Sequence, residues 1–175
     1  MAGVSFTVEL QSVRQGYARK TCWVQTRAGV LPPHGAVITT QKLLLSGSDV
    51  FHGINSLRSH DGGWSFTPPE PQGGLSRQAL PEAPGRAMCP CDGTPAYHTE
   101  SGRLLLTGHT AVYQGDRLAP SYRRDLWYSV FDATHGRWSA LRIVPLPETG
   151  HLYSAGAGCS QRLDLPEGDV LIPVY

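Results

Sequence analysis

The sequence predicts an all-β fold, on three observations. The chain carries 20 Gly and 14 Pro with only 17% charged residues, the punctuation that many short strands joined by turns require. No stretch has the 3.6-residue period of an amphipathic helix, a single turn near Arg77 to Leu80 aside. And one pattern of strand, Gly-containing turn and second apolar strand recurs along the chain.

The first copy runs from Arg27 to Leu31, turns through Pro32, Pro33, His34 and Gly35, and continues over 36–40. The second begins at Thr94, turns at Glu100, Ser101 and Gly102, and continues from Arg103 through three leucines. The third begins at Cys159, turns at Pro166, Glu167 and Gly168, and continues over 169–173. Superimposing Gly35, Gly102 and Gly168 gives steps of about 66 residues, longer than the ~40–45 of a WD40 blade and sufficient for four strands with generous loops.

Each unit has room for two further strands. In the first these are Ile54 to Ser59 and a segment opening at Trp64; in the second, Leu126 to Phe131 and Arg137 to Val144. Trp127, Ser129 and Phe131 fall on one face and Tyr128 and Val130 on the other. The connections 68–95 and 145–158 are rich in Pro and Gly and read as loops. The expected architecture is a single incomplete β-propeller domain over 1–175, with blade 1 about 22–67, blade 2 about 92–145 and the start of a third blade about 157–175. Six such units need roughly 400 residues, so the expectation is a fragment of a larger propeller.

Composition narrows the partners. At 175 residues and 40% hydrophobic side chains, one domain is the prior. A formal charge of +1 and a pI near 7.8 offer no basic face for phosphates, so nucleic acid is not an expected partner. The first ten residues lack a charged n-region and a signal-length apolar run, and no later stretch reaches a membrane span. No membrane partner is expected, and a cytoplasmic location is the default. Cys22, Cys89, Cys91 and Cys159 lack the paired spacing of a structural zinc site, as do His52, His98 and His109, so no metal or cofactor is called for. Trp23 and Trp127 read as packing aromatics.

The connection inside the first unit reads Ser59, His60, Asp61, Gly62, Gly63, Trp64, Ser65, Phe66. It fits the pattern S-x-D-x-G-x-[ST]-[WF] at Ser59, Asp61, Gly63, Ser65 and Phe66. A carboxylate here accepts hydrogen bonds from turn N–H groups, glycine permits positive φ, and the aromatic packs between strands. The role is structural. A degenerate copy, Ser129 to Ser139 around Asp132 and Gly136, falls where the repeat places it.

This motif is the Asp box, and through it the chain resembles the sialidase superfamily of six-bladed propellers. The order of features extends the resemblance from about Cys22 to Tyr175: an Arg in a short strand, a hairpin, an Asp in a loop, then the first Asp box. The resemblance implies an exo-α-sialidase-like glycoside hydrolase acting on a glycan with a terminal acidic sugar. It assigns Arg27 to the first arginine of a carboxylate clamp, where guanidinium forks give paired hydrogen bonds, and Asp49 to the general acid/base. Asp92 is a further substrate-binding candidate. Where the family has a second clamp arginine this chain has Gln41 and Lys42, and Lys42 supplies charge without the fork. The family nucleophile is a Tyr activated by a Glu, an exception to the two-carboxylate scheme; Tyr175 is not assigned that role, and the chain is expected to lack it. Outside the family context, Arg27 reads as a solvated strand end and Asp49 as a turn former. The alternative reading is a non-catalytic Asp-box propeller binding glycan or protein, with self-association through open blade edges such as Val170 to Pro173.

Overall fold

A computed structural model describes residues 4–46 and 49–175. The described chain is all-β, built from antiparallel sheets with one turn of 3-10 helix at Gly73–Leu75. Among the described residues no helix is long and apolar enough to cross a membrane.

The first sheet is a meander of β1 (Thr21–Leu31), β2 (Gly35–Leu44), β3 (Val50–Ser59) and β4 (Glu70–Pro71), in that spatial order. The fourth strand forms later than the expected start at Trp64. Thr67 N–H still bonds to the Arg58 carbonyl at 2.9 Å, but Pro68 and Pro69 have no N–H to give, so the ladder resumes at Glu70. Gln78–Ala79, part of the stretch expected to form a helical turn, is instead a short strand, β5. The helical turn sits upstream, where Ser76 Oγ and N–H both bond to the Gly73 carbonyl.

β6 spans Arg86–His98, so six residues expected in a loop belong to the second sheet before residue 92. It pairs with β7 (Arg103–Gln114), which is flanked by the short β8 (Arg117–Leu118) and by β9 (Leu126–Asp132). The anticipated long last strand of this unit is broken into β10 (Arg137–Trp138) and β11 (Arg142–Ile143), both paired with β9. Between them Ser139 turns inward: its Oγ meets Ser129 Oγ at 3.1 Å and accepts the Val130 N–H at 3.1 Å. A third, two-stranded sheet joins β12 (Leu163–Asp164) to β13 (Val170–Leu171).

The two larger sheets bury a shared core. Val37 and Ile54 of the first pack with Leu104, Leu106 and Trp127 of the second, all at most 1% exposed. A second cluster joins Val50 and Phe51 to Cys89, Cys91, Ala111 and Tyr113. Burying each large side chain contributes roughly 1.5–3 kcal/mol, and the alternation of buried and half-buried residues along β9 is the period-two pattern that places Trp127, Ser129 and Phe131 inward.

A buried carboxamide crosses this interior. Gln41, 1% exposed, donates from Nε2 to the His52 carbonyl at 2.8 Å and to the Pro90 carbonyl at 2.9 Å, while its Oε1 accepts the Asp92 N–H at 3.3 Å. The carboxamide thus ties β2 to β3 and both to β6.

One backbone conformation recurs at a fixed spacing. β1 carries a bulge between Val24 and Arg27, and β6 one between Cys91 and Thr94. Gln25 and Asp92, inside these bulges, have φ of 53° and 54°, and Cys159 has φ of 57° in the third unit. The three lie 67 residues apart. None is glycine, and the left-handed region costs a non-glycine residue about 1–2 kcal/mol.

Replacing Gln41 by Leu is expected to leave the Asp92 N–H unpaired and the His52 and Pro90 carbonyls with only the weak Cys89 thiol, at about 1–3 kcal/mol for a buried group left unmade. Urea denaturation should show a loss of about 3 kcal/mol; a loss under about 1 kcal/mol would mean that the two sheets hold without the carboxamide.

Candidate functional site

A cavity of about 340 Å³ opens where the bulged strands of the first two units meet the chain end of the third. Asp49, Asp92, His109, Arg124, Tyr122 and Tyr175 give it polar groups, and Phe51, Ala111 and Leu118 give it apolar wall. A cavity of similar size, about 350 Å³, lies between residues 11–14 and the first sheet; it is lined by Trp23, Ile38 and Leu57 among others and has no carboxylate.

Asp49 is exposed at the cavity rim, one residue before β3. Its loop partners Gly47 and Ser48 lie outside the described residues. What holds Asp49 is Tyr113, 1% exposed, whose hydroxyl donates to the Asp49 carbonyl at 2.8 Å and accepts the Phe51 N–H at 3.2 Å. Burial pushes the phenol's pKa up, so it stays protonated and keeps donating.

Asp92 is 8% exposed, carried into the interior by the β6 bulge. Its Oδ2 lies 3.6 Å from His109 Nε2, and its Oδ1 is buried with no hydrogen-bond partner. His109 belongs to β7, opposite Cys91. Its ring is walled in by Gly156 and Gly158, where any Cβ would collide with the histidine, so the third unit approaches the second only because those positions lack side chains. Desolvation lowers the His109 pKa, the nearby Asp92 carboxylate opposes that and Arg124 adds to it. At 3.6 Å the two groups stand close without forming a hydrogen bond.

Arg124 lines the cavity, and among the described residues its guanidinium makes no ion pair. Arg27 does not line it. Its Nη2 lies 3.0 Å from Cys159 Sγ, next to Gly158, whose carbonyl accepts the Tyr175 hydroxyl at 2.9 Å. Lys42 is placed elsewhere: its Nζ stands 5.1 Å from the centre of the Trp23 ring. Of the four residues singled out for chemistry from sequence, Asp49 and Asp92 meet in one cavity, Arg27 lies beside its far wall and Lys42 is outside it.

His109, Arg124 and Tyr122 were not singled out for this site by sequence. The register of β6 against β7, which sets Cys91 opposite His109, brings the histidine to the bulge, and pairing cannot be read from one strand alone. Among the described residues no group of three His, Cys, Asp or Glu is placed to hold a metal ion. The thiols of Cys89 and Cys91 are buried in the core and all four cysteines are free; burial raises the Cys91 pKa, which leaves an inert thiol.

The box residues lie in a different place, the turn leaving β3. Ser59 Oγ donates to Asp61 Oδ1 at 2.8 Å and accepts the Gly63 N–H at 2.8 Å. Asp61 accepts the Ser65 N–H at 3.0 Å and the Ser65 hydroxyl at 2.6 Å. Gly62 and Gly63 have φ of 76° and 95°, Phe66 is half-buried, and Trp64 is 72% exposed. In the second unit Asp132 does the equivalent work, accepting the Thr134 and His135 N–H groups and bonding His135 Nδ1 at 2.6 Å.

Bonds from Ser65 and Ser59 hold the Asp61 carboxyl well below its ordinary value of 3.8. A depressed carboxylate pKa contributes stability that is present above the unfolded value and lost as pH falls through the folded one. Asp61→Ala is therefore expected to lower the melting temperature at pH 7, with the gap to wild type closing as pH drops below about 4. A gap unchanged by acid in melts across that range would show the carboxylate charge to be irrelevant to the turn.

No protein-family model matches the chain, and searches of curated proteins and of solved structures also find no match.

Proposed function

We propose that this chain is part of a sialidase-like β-propeller glycoside hydrolase, acting on a glycan with a terminal acidic sugar. The observation that carries the reading is the convergence, in one cavity, of two carboxylates, a guanidinium that makes no ion pair among the described residues and three phenols. A sugar bearing a carboxylate needs a cation to meet it, which Arg124 offers from the wall and Arg27 from beside Cys159. The glycosidic oxygen needs a proton donor at the solvent side, and Asp49 stands there, its backbone fixed by Tyr113. A four-stranded meander and a larger antiparallel sheet sharing a core, a paired strand in a third sheet and left-handed residues 67 positions apart support the partial-propeller reading.

One observation favours a second reading, a glycan-binding module without turnover. Gln41 is consumed in joining the sheets and Lys42 lies on Trp23, so no second guanidinium stands where the family's clamp has one. The two readings separate in one assay.

The longer propeller of which this chain is proposed to be part is expected to release the aglycone from an aryl α-glycoside of N-acetylneuraminic acid or of another 2-keto acid sugar, and Asp49→Ala in it is expected to slow that release about 10²–10⁴-fold, the range for a lost general acid. Binding of the free sugar acid without release from any glycoside would favour the second reading. Neither release nor binding would remove both.

A further inference from the structure

We propose that the edge of Arg77 carrying Nε and Nη2, with His52 and Lys42 beside it, is a site for a small dianionic oxyanion, sulfate or phosphate, separate from the carboxylate-lined cavity. None of these three residues lines that cavity, and the proposal does not depend on the glycan reading.

The first observation is an unmet guanidinium. Arg77 stands just before β5 with its Cζ 4.5 Å from the centre of the Tyr113 ring, a stacking that holds the plane of the group. Its Nε and Nη2 are buried without a hydrogen-bond partner, and among the described residues Arg77 makes no ion pair. These two nitrogens form one edge of the guanidinium, and their parallel N–H bonds match two oxygens of a single anion. Buried polar groups in folded proteins are paired, and charged ones cost most when they are not. Two adjacent orphans on one cation therefore mark the place of an acceptor. The residue as a whole is half-buried, so an ion has a way in from solvent.

The second observation is the charge gathered there. A Cβ on Gly53 would stand 2.8 Å from Ser76 Cα and 3.4 Å from the Arg77 backbone nitrogen, so β3 passes directly against the chain at 76–77 because that position has no side chain. His52 is the next residue along β3. Lys42 lies in the register gap between the Gln41↔Ile54 and Leu43↔Phe51 pairs, the same gap that holds His52. Burial lowers the His52 pKa, the Arg77 and Lys42 charges add to that, and Asp116, in the turn between β7 and β8, opposes them.

This charge count selects the ligand. Two fixed cations and a histidine that gains a proton in acid, set against one carboxylate, suit a dianion better than chloride or a monocarboxylate. A tetrahedral oxyanion places two oxygens on the Arg77 edge and turns the others toward His52 and Lys42, where lysine supplies a point charge and a protonated imidazole a donor. Enclosure of the fork favours the free ion over an ester.

Sulfate keeps its charge across the range in which histidine titrates, which makes it the probe. Titrated by calorimetry into this chain at fixed ionic strength, it is expected to bind one to one where chloride does not, and at ten times its dissociation constant to raise the melting temperature by about 3–6 °C. Arg77→Lys, which keeps the charge but has no paired edge, is expected to weaken sulfate at least about tenfold with an unchanged circular dichroism spectrum. The wild type is expected to bind sulfate more tightly as pH falls from about 8 to about 5, since the dianion favours the protonated ring, and His52→Asn to abolish that tightening. Sulfate binding no tighter than chloride overturns the proposal, as does Arg77→Lys binding sulfate like the wild type. If Arg77→Lys does not fold, His52→Asn and Lys42→Gln decide: wild-type sulfate affinity in both at low pH overturns it. Binding of glucose 6-phosphate where sulfate and inorganic phosphate fail overturns the enclosed free ion.

Discussion

The Gln41 carboxamide is the constraint on which the placement of the cavity depends. Among the described residues it is the one side chain that bonds both β3 and β6 from β2, and its third bond is to the N–H of the bulge residue Asp92. Two sheets sharing an apolar core can slide at little cost, because dispersion and burial are non-directional. A buried carboxamide with three defined partners cannot, since any slip leaves polar groups unpaired in a low-dielectric interior. Gln72 plays a related part at the other end, its Oε1 accepting the Trp138 N–H at 3.0 Å. The register between the first and second units is therefore set by glutamines, and the cavity inherits its geometry from that register.

Stability and chemistry are assigned to different parts of each unit. The Ser59, Asp61 and Ser65 turn is satisfied within itself, and a group whose bonds are already made has nothing to offer a ligand. Among the described residues the cavity shows the opposite condition: an unpartnered Asp92 oxygen, an exposed Asp49 and an Arg124 without an ion pair. The turn chemistry confines strand ends so that the inner strands can carry strain.

How much of this was legible in the sequence divides along the same line. The hairpins around Gly35, Gly102 and Gly168 and the inward face of Trp127, Ser129 and Phe131 follow from local rules, turn glycines and period-two alternation. The fourth strand of the first unit was placed too early because Pro68 and Pro69 interrupt pairing after Thr67. The start of β6 was placed too late because a Pro- and Gly-rich stretch hid the run from Arg86. Asp49 and Asp92 were reached through family order, not geometry. His109 and Arg124 escaped because their relevance lies in pairing register and in the approach of the third unit, which are non-local. Gln41 was read as the place of a missing arginine; nothing in a single strand says that a glutamine will be buried between two sheets.

The bulge position explains why this kind of site resists sequence reading. Gln25, Asp92 and Cys159 share a conformation and a spacing but no chemistry, so a comparison of residue types across the units finds nothing there. Conformational identity with chemical freedom is what a repeat needs if one scaffold is to serve several ligands. The hydrogen-bonded turn and the apolar core fix where the bulge falls, and the cost of left-handed backbone is met by the whole unit rather than by the residue. The glycines that wall His109 and the glutamine that joins the sheets are held by packing and bonding instead.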